Sequence, residues 1–332
     1  MRKLLLAAAG FGLSATTAFA ADYTLKVSSP TNNDAILQWM QAFETRLEAA
    51  TAGAIDVELY PANQLGQIPA TVEGVAMGTI EVTAPASSFF VKYDPRFEAF
   101  DVPGLFDDLA HAQRVLADPE VLDRLETFGA DQGLRPIAAF PHGPLGLLST
   151  TPVDKVAALQ GQQIRVAGPS ALATGPFAAL GASPVSMPLG EVLPAMQNGV
   201  VDGLIAGLPV FTTGRYYDVA KDLTVLPESY LVVTAVASQS FLDMIGPDLS
   251  EQVRTAAREA IADANGWNLG AVEKVQAIWA ENGGKIVALT PEDSKAYLDA
   301  VFATLPTAFA QNPTLEGELA FLQGVADRQA TK

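Results

Sequence analysis

Hydrophobic and polar positions along the chain switch repeatedly between the two periods of secondary structure. Tyr23-Thr24-Leu25-Lys26-Val27-Ser28 alternates residue by residue, the pattern of a half-buried strand. Ile36, Trp39, Met40, Phe43 and Leu47 then recur at three- and four-residue spacing, which predicts a helix over Asp34 to Ala50 with one stripe facing a core. Ile55 to Leu59 returns to the strand period, and Ile68 to Met77 predicts a helix closed by Gly78. Further strands are expected at Thr79 to Thr83, Pro136 to Phe140, Gln163 to Val166, Pro184 to Met187 and Gly203 to Ala206. Helices are expected at Ala171 to Leu180 and Leu189 to Gln197. Strand-helix alternation at this spacing argues for an α/β fold of parallel sheets covered by helices on both faces.

Two later features break the rhythm. Val232 to Ala237 is a β-branched run that reads as a buried strand. Leu249 to Asn282 reads as one helical stretch of about 33 residues, with Gly266 and Gly270 as the expected bends. A helix of that length is able to brace two lobes from behind. A strand over Lys285 to Leu289 then precedes Thr290-Pro291-Glu292-Asp293, a helix start with a capping residue, a proline and an acid in their preferred places. The remainder reads as helical.

Composition narrows the function. The 332 residues, 49% hydrophobic, suffice for two folded domains. A net charge of −17 argues against nucleic-acid partners, because an acidic surface repels phosphates. The absence of cysteine excludes disulfides and thiolate metal sites, and two histidines exclude a multi-histidine centre. At the start, Arg2 and Lys3, an apolar run from Leu4 to Leu13 and Ala18-Phe19-Ala20 have the layout of a signal peptide cleaved after Ala20. No later apolar stretch reaches spanning length unbroken, so the mature chain is expected to be exported, without membrane insertion.

Catalytic patterns are missing. The sequence has no Gly-x-Ser-x-Gly elbow, no P-loop and no Gly-x-Gly-x-x-Gly after a strand. Asp107-Asp108 and Glu292-Asp293 fall at helix starts, where acids complement the helix dipole. His142, in Pro141-His142-Gly143-Pro144, reads as a loop-tethering residue. Arg165 stands out instead. It sits in a short apolar strand near its carboxyl end, where α/β sheets bind ligands, and its fork matches a carboxylate. Position alone leaves two readings, a ligand contact or an ion pair between domains.

Five segments in order resemble the DctP-type solute-binding proteins of tripartite ATP-independent periplasmic (TRAP) transporters. They are YPANQLGQ (Tyr60 to Gln67), FDVPGLFDDLAHAQRVL (Phe100 to Leu116), LQGQQIRV (Leu159 to Val166), GASPVSMPLGEVLPAMQNGVVDG (Gly181 to Gly203) and YYDVAKDLT (Tyr216 to Thr224). The resemblance implies a two-lobed periplasmic binding fold with hinge strands and a long bracing helix. It also implies a cleft that closes on an organic acid and hand-over to ion-gradient-driven permease subunits, with no cofactor and no catalysis. Arg165 matches the family's carboxylate clamp. Where many members carry a second arginine this chain has Leu145, where they carry Gln-Glu-Asn it has Leu204-Ile205-Ala206, and their frequent aromatic is Leu189. These exchanges favour a monocarboxylate or sulfonate with an apolar body over a C4-dicarboxylate, whose second carboxylate would be buried without partners.

Further ligand contacts are expected from Asn33, Ser88 and Phe89 in loops after strands, from Glu73 on its helix and from Tyr230 before the strand at Val232; turn, core and solvated-face roles are the alternatives. Glu73 and Glu228 are the only candidates for a cation beside the ligand. The expected lobes are 21–142 with about 232–271, and about 143–231 with 272–332 including the C-terminal helices. Binding proteins of ABC importers or chemosensory systems, and an exported enzyme, are the rival classes.

Overall fold

The computed structural model describes residues 21–330, so the expected signal peptide and its cleavage after Ala20 lie outside the described residues. The elements run β1 (Tyr23–Ser28), α1 (Ala35–Ala50), β2 (Ile55–Tyr60), α2 (Ile68–Met77), β3 (Val82–Thr83), α3 (Leu109–Leu116), α4 (Pro119–Leu125) and β4 (Leu134–Ser149). They continue β5 (Gln163–Val166), α5 (Ala171–Ala179), β6 (Ser183–Ser186), α6 (Leu189–Gln197), β7 (Gly203–Gly207), α7 (Leu208–Thr213) and β8 (Asp222–Ser238). The chain closes with α8 (Gln239–Glu259), α9 (Ile261–Glu281), β9 (Lys285–Ala288), α10 (Pro291–Gln311) and α11 (Pro313–Gln329).

One sheet in the order β2-β1-β3-β8-β4-β7-β5-β6 joins two α/β halves, with β9 also on β8. Pairing within each half is parallel, but β3–β8, β8–β4 and β4–β7 are antiparallel, so the sheet is mixed rather than parallel throughout. The long strands β4 and β8 carry the connection. One end of β8 pairs with β3 through Val236 and Ala237, the other with β9 through Asp222 to Val225. The segment Pro141-His142-Gly143-Pro144, expected as a loop, lies inside β4. Its prolines lack the N–H a ladder needs, so the β4–β8 register shifts between Pro141 and Pro144 and again before Gly146. The middle of the connection is therefore its most weakly paired part.

Two other expectations are corrected. β3 is only Val82–Thr83, because the Thr79 and Ile80 amides turn back to the Gly74 carbonyl and extend the α2 cap. The long helical stretch begins after a kink at Gly246, with φ of 82°, and Pro247; it is interrupted at Ala260 and runs unbroken through Gly266 and Gly270. Glycine inside a helix costs only about 1 kcal/mol relative to alanine, which packing on both sides outweighs. Ile261 and Ala264 pack in the core around Trp39 and Phe43, and Val275 and Trp279 in the core around Phe211 and Leu223. Between them, buried Asn268 donates to the Pro141 carbonyl at 2.5 Å, tying this brace to the weak point of β4. The last helix departs from the expected division: Leu315, Leu319, Leu322 and Val325 of α11 pack with Phe97, Phe100 and Val115, residues of the first half.

Candidate ligand-binding cleft

Strand β5 pairs with β6 on one side and β7 on the other. Alternation along it sends Ile164 and Val166 into an apolar core around Phe177, so Arg165 faces the other way. Its side chain is buried to 2% exposure and is aimed by two carbonyls from the flanking strand ends. Nε donates to Met187 at 3.0 Å and Nη1 to Ile205 at 3.2 Å. The remaining N–H groups of the fork have no acceptor among the described residues, and no carboxylate there pairs with it. Tyr216 is an ionisable group close enough to act on it, but burial pushes that phenol up to about 12, so it stays neutral. Burial pulls the guanidinium down only to about 10, so it stays charged. Arg165 is thus a buried cation without a counter-ion, a costly arrangement unless an anion arrives from outside.

Arg165 opens into a cavity that also takes in Thr31, Phe89, His142, Leu189 and Ala206. A second cavity, lined by Ser88, Asp101, Leu145, Val166, Phe177 and Tyr297, meets it along Ala167, Ile205 and Leu231. The pair lies where β4 is weakest and between the two halves. Across its mouth the turn after β5 touches the loop after β3. Gly168, with φ of +83°, sits so near the Ser88 carbonyl that a Cβ would come within 3.0 Å of it. His142 is fixed from behind: Nε2 bonds Asp34 Oδ2 at 2.9 Å, while Nδ1 is buried without a partner. Asp34 also caps α1, accepting from the Ile36 amide at 3.0 Å and the Leu37 amide at 3.3 Å. Burial raises the Asp34 carboxyl, but His142 and the Leu37 amide outweigh it and hold the group below its ordinary value.

Six of the expected contacts come together here: Arg165, Phe89, Leu189 and Ala206 in one cavity, Ser88 and Leu145 in the other. Three do not. Asn33 is exposed in a turn with φ of 57°, its amide donating to Asn32. Glu73 is on the exposed face of α2. Tyr230 packs edge-on against Phe106 at 6.3 Å and lines neither cavity. His142, Asp101 and Tyr297 were not expected as cleft residues. His142 was hidden by the loop-like prolines around it, and Asp101 and Tyr297 reach the cleft from elements remote in sequence from Arg165.

The chain is also similar to known proteins. Residues 27–312 match the family described as bacterial extracellular solute-binding protein, family 7 (DctP). The 2,3-diketo-L-gulonate-binding periplasmic protein of Escherichia coli K12 is 28% identical over 260 residues, 78% of each chain. The C4-dicarboxylate-binding periplasmic protein of Rhodobacter capsulatus is 30% identical over 68% of this chain and 67% of its own length. Among solved structures, a TRAP periplasmic solute-binding protein from Sulfurospirillum deleyianum with bound succinate superposes with a TM-score of 0.83 at 28% identity, covering 92% of this chain and 99% of that one. Another, from Desulfovibrio salexigens with bound orotic acid, gives 0.86 at 23% identity with the same coverage. The chain belongs to the DctP family of bacterial extracellular solute-binding proteins, the two-lobed binding components of TRAP transporters.

Proposed function

We propose that this protein captures a small organic acid in the periplasm through one carboxylate or sulfonate on Arg165, and delivers it to TRAP permease subunits in the membrane. The observation that carries the reading is a buried guanidinium with open donors and no counter-ion. A charge-assisted pair there contributes roughly 1.5–3 kcal/mol net. Leu145, Leu189, Ala206, Phe89 and Ile205 around the two cavities favour an apolar body and supply no second cation for a dicarboxylate. The relatives span both chemistries, a diketogulonate and C4-dicarboxylates, so identity alone leaves the choice to these side chains.

The lobes in this reading are 21–142 with about 232–271, and about 143–231 with 272–312; α11 goes with the first. Ligand contacts from both favour a closed state already present in the open-closed equilibrium. The chain works after removal of the leader at Ala20 and takes no catalytic step. A thermal-shift screen of small acids tests it, since ligand at about 100 times Kd adds roughly 2.7 kcal/mol. Shifts from monocarboxylates that vanish in Arg165→Ala support the reading; shifts that survive the substitution overturn it.

A further inference from the structure

The cleft holds a second ionisable group that the carboxylate reading leaves unused. Asp101 ends a 3-10 helix over Pro95–Asp101 and lines the second cavity. Its Oδ2 is shut off from solvent and has no hydrogen-bond partner, and no basic group among the described residues pairs with it. Its charged neighbour is another acid, the fully buried Glu98, which is already occupied by the Leu172 amide at 2.9 Å and Asn312 Nδ2 at 3.3 Å. Burial, with Glu98 adding to it, pushes the Asp101 carboxyl up to about 8. Two other polar residues line this cavity: Ser88, buried in the loop after β3, and Tyr297, which is turned to Ser229, with Oγ at 3.3 Å, and whose phenol burial keeps neutral. The rest is apolar, including Leu145, Phe177 and Val301.

An acceptor retained without a donor on the wall of an apolar cavity marks where a donor is to be supplied. The two carboxylates decide which donor. A hydroxyl gains from Asp101 alone, whereas a cation also feels Glu98 in the low dielectric of the site. We propose that Asp101 receives an ammonium or comparable cationic N–H group of the solute, so that the ligand is a zwitterion. Its carboxylate sits on Arg165, its amine on Asp101, and its apolar middle passes Ala167, Ile205 and Leu231, the residues common to both cavities. This proposal rests on the carboxylate reading of Arg165 and deepens it. The incoming cation favours the ionised form of Asp101, so both ionisable groups of the cleft are then paired, which a simple monocarboxylate does not achieve.

Calorimetric titration of the mature protein with a length series of ω-amino acids tests it, against ω-hydroxy and unsubstituted acids of matched length. The best-fitting amino acid is expected to bind at least about tenfold more tightly than its unsubstituted counterpart. Asp101→Asn removes that advantage, so that amino and unsubstituted acids of matched length bind the variant alike; Asp101→Ala serves if the amide variant does not fold, and the wild-type comparison stands without either. Equal binding of amino and unsubstituted acids, or a preference for the hydroxy acid, overturns the Asp101 assignment while loss of all binding in Arg165→Ala preserves the carboxylate reading. Failure of every acid, or indifference to Arg165→Ala, overturns both.

Discussion

Arg165 and His142 line the same cavity, yet the chain treats the two buried side chains in opposite ways. His142 is matched from within: Asp34 holds it at 2.9 Å and spends its other oxygen on the first turn of α1. Arg165 is only aimed, by two carbonyls, and its charge is left unanswered. The matched pair joins α1 to the interrupted stretch of β4 and belongs to the scaffold. The unmatched one is the proposed ligand anchor. Removing a partner from a satisfied buried pair therefore damages the fold, while removing an unmatched charge damages binding.

Substitutions at the two sites separate these roles. Arg165→Ala is expected to weaken binding of a small monocarboxylate by at least about 100-fold, with the ligand-free melting temperature near that of the wild type. An unchanged Kd breaks the comparison on its functional side. Asp34→Ala is expected to do the reverse. It strips the buried pair and the α1 cap together, costing about 3 kcal/mol and lowering the melting temperature by several degrees, with a change in Kd far smaller than that of Arg165→Ala. A normal melting curve for Asp34→Ala would remove the pair from the scaffold.

Leu145→Arg sharpens the contrast by supplying a second cation. It lies on β4 opposite Gly207 and lines the adjoining cavity. Succinate is expected to gain roughly tenfold relative to an apolar monocarboxylate of equal length, read by competitive titration. No gain for the dicarboxylate would mean that Leu145 does not set the charge count of the ligand.

The smallest effect concerns two aspartates whose shifts have opposite signs. Asp34 is held below its ordinary value, so its contribution to stability is present above the unfolded pKa, near 3.8, and is lost as the pH falls through the folded value. Asp101 is pushed up to about 8, so the stability it contributes is complete below an unfolded pKa near 3.8 and is lost as the pH rises towards 8. Asp101→Asn cannot titrate there. Its melting temperature is expected to gain on the wild type as the pH rises from about 5 to about 8, by roughly 2 °C or more. A constant difference across that range would contradict the buried, unpaired state of Asp101.

The contrast between Arg165 and Asp101 also shows how far the sequence reaches. Arg165 was legible because a charge between Ile164 and Val166 violates the pattern of its own strand, and violations of a local pattern are visible in one dimension. The amphipathic stripe of α1 and the Thr290 cap were legible for the same reason, each being carried by neighbouring residues. Asp101, between Phe100 and Val102, also breaks its local pattern, but the cavity it lines is completed by residues of α5 and α10, far along the chain, which no local pattern shows. The segment around His142 was misread as a loop because prolines that interrupt a ladder look the same as prolines that end a strand; the partner strand β8 and the Asn268 bond decide between them, while the tethering hydrogen bond of His142 is there, to Asp34. Asn33 and Glu73 were placed in the cleft by their position after a strand or on the right helix, but face is set by backbone angle and helix phase, and both point to solvent.

The central claim is that the unanswered charge of Arg165 is the anchor for a ligand anion. Isothermal titration of wild type and Arg165→Ala with the best acid from the screen tests it most directly, with melting curves of both ligand-free proteins as the control. The expected result is a single site in the wild type, a loss of at least about 100-fold in the variant, and nearly equal ligand-free melting temperatures. Equal affinities in the two proteins would contradict the claim.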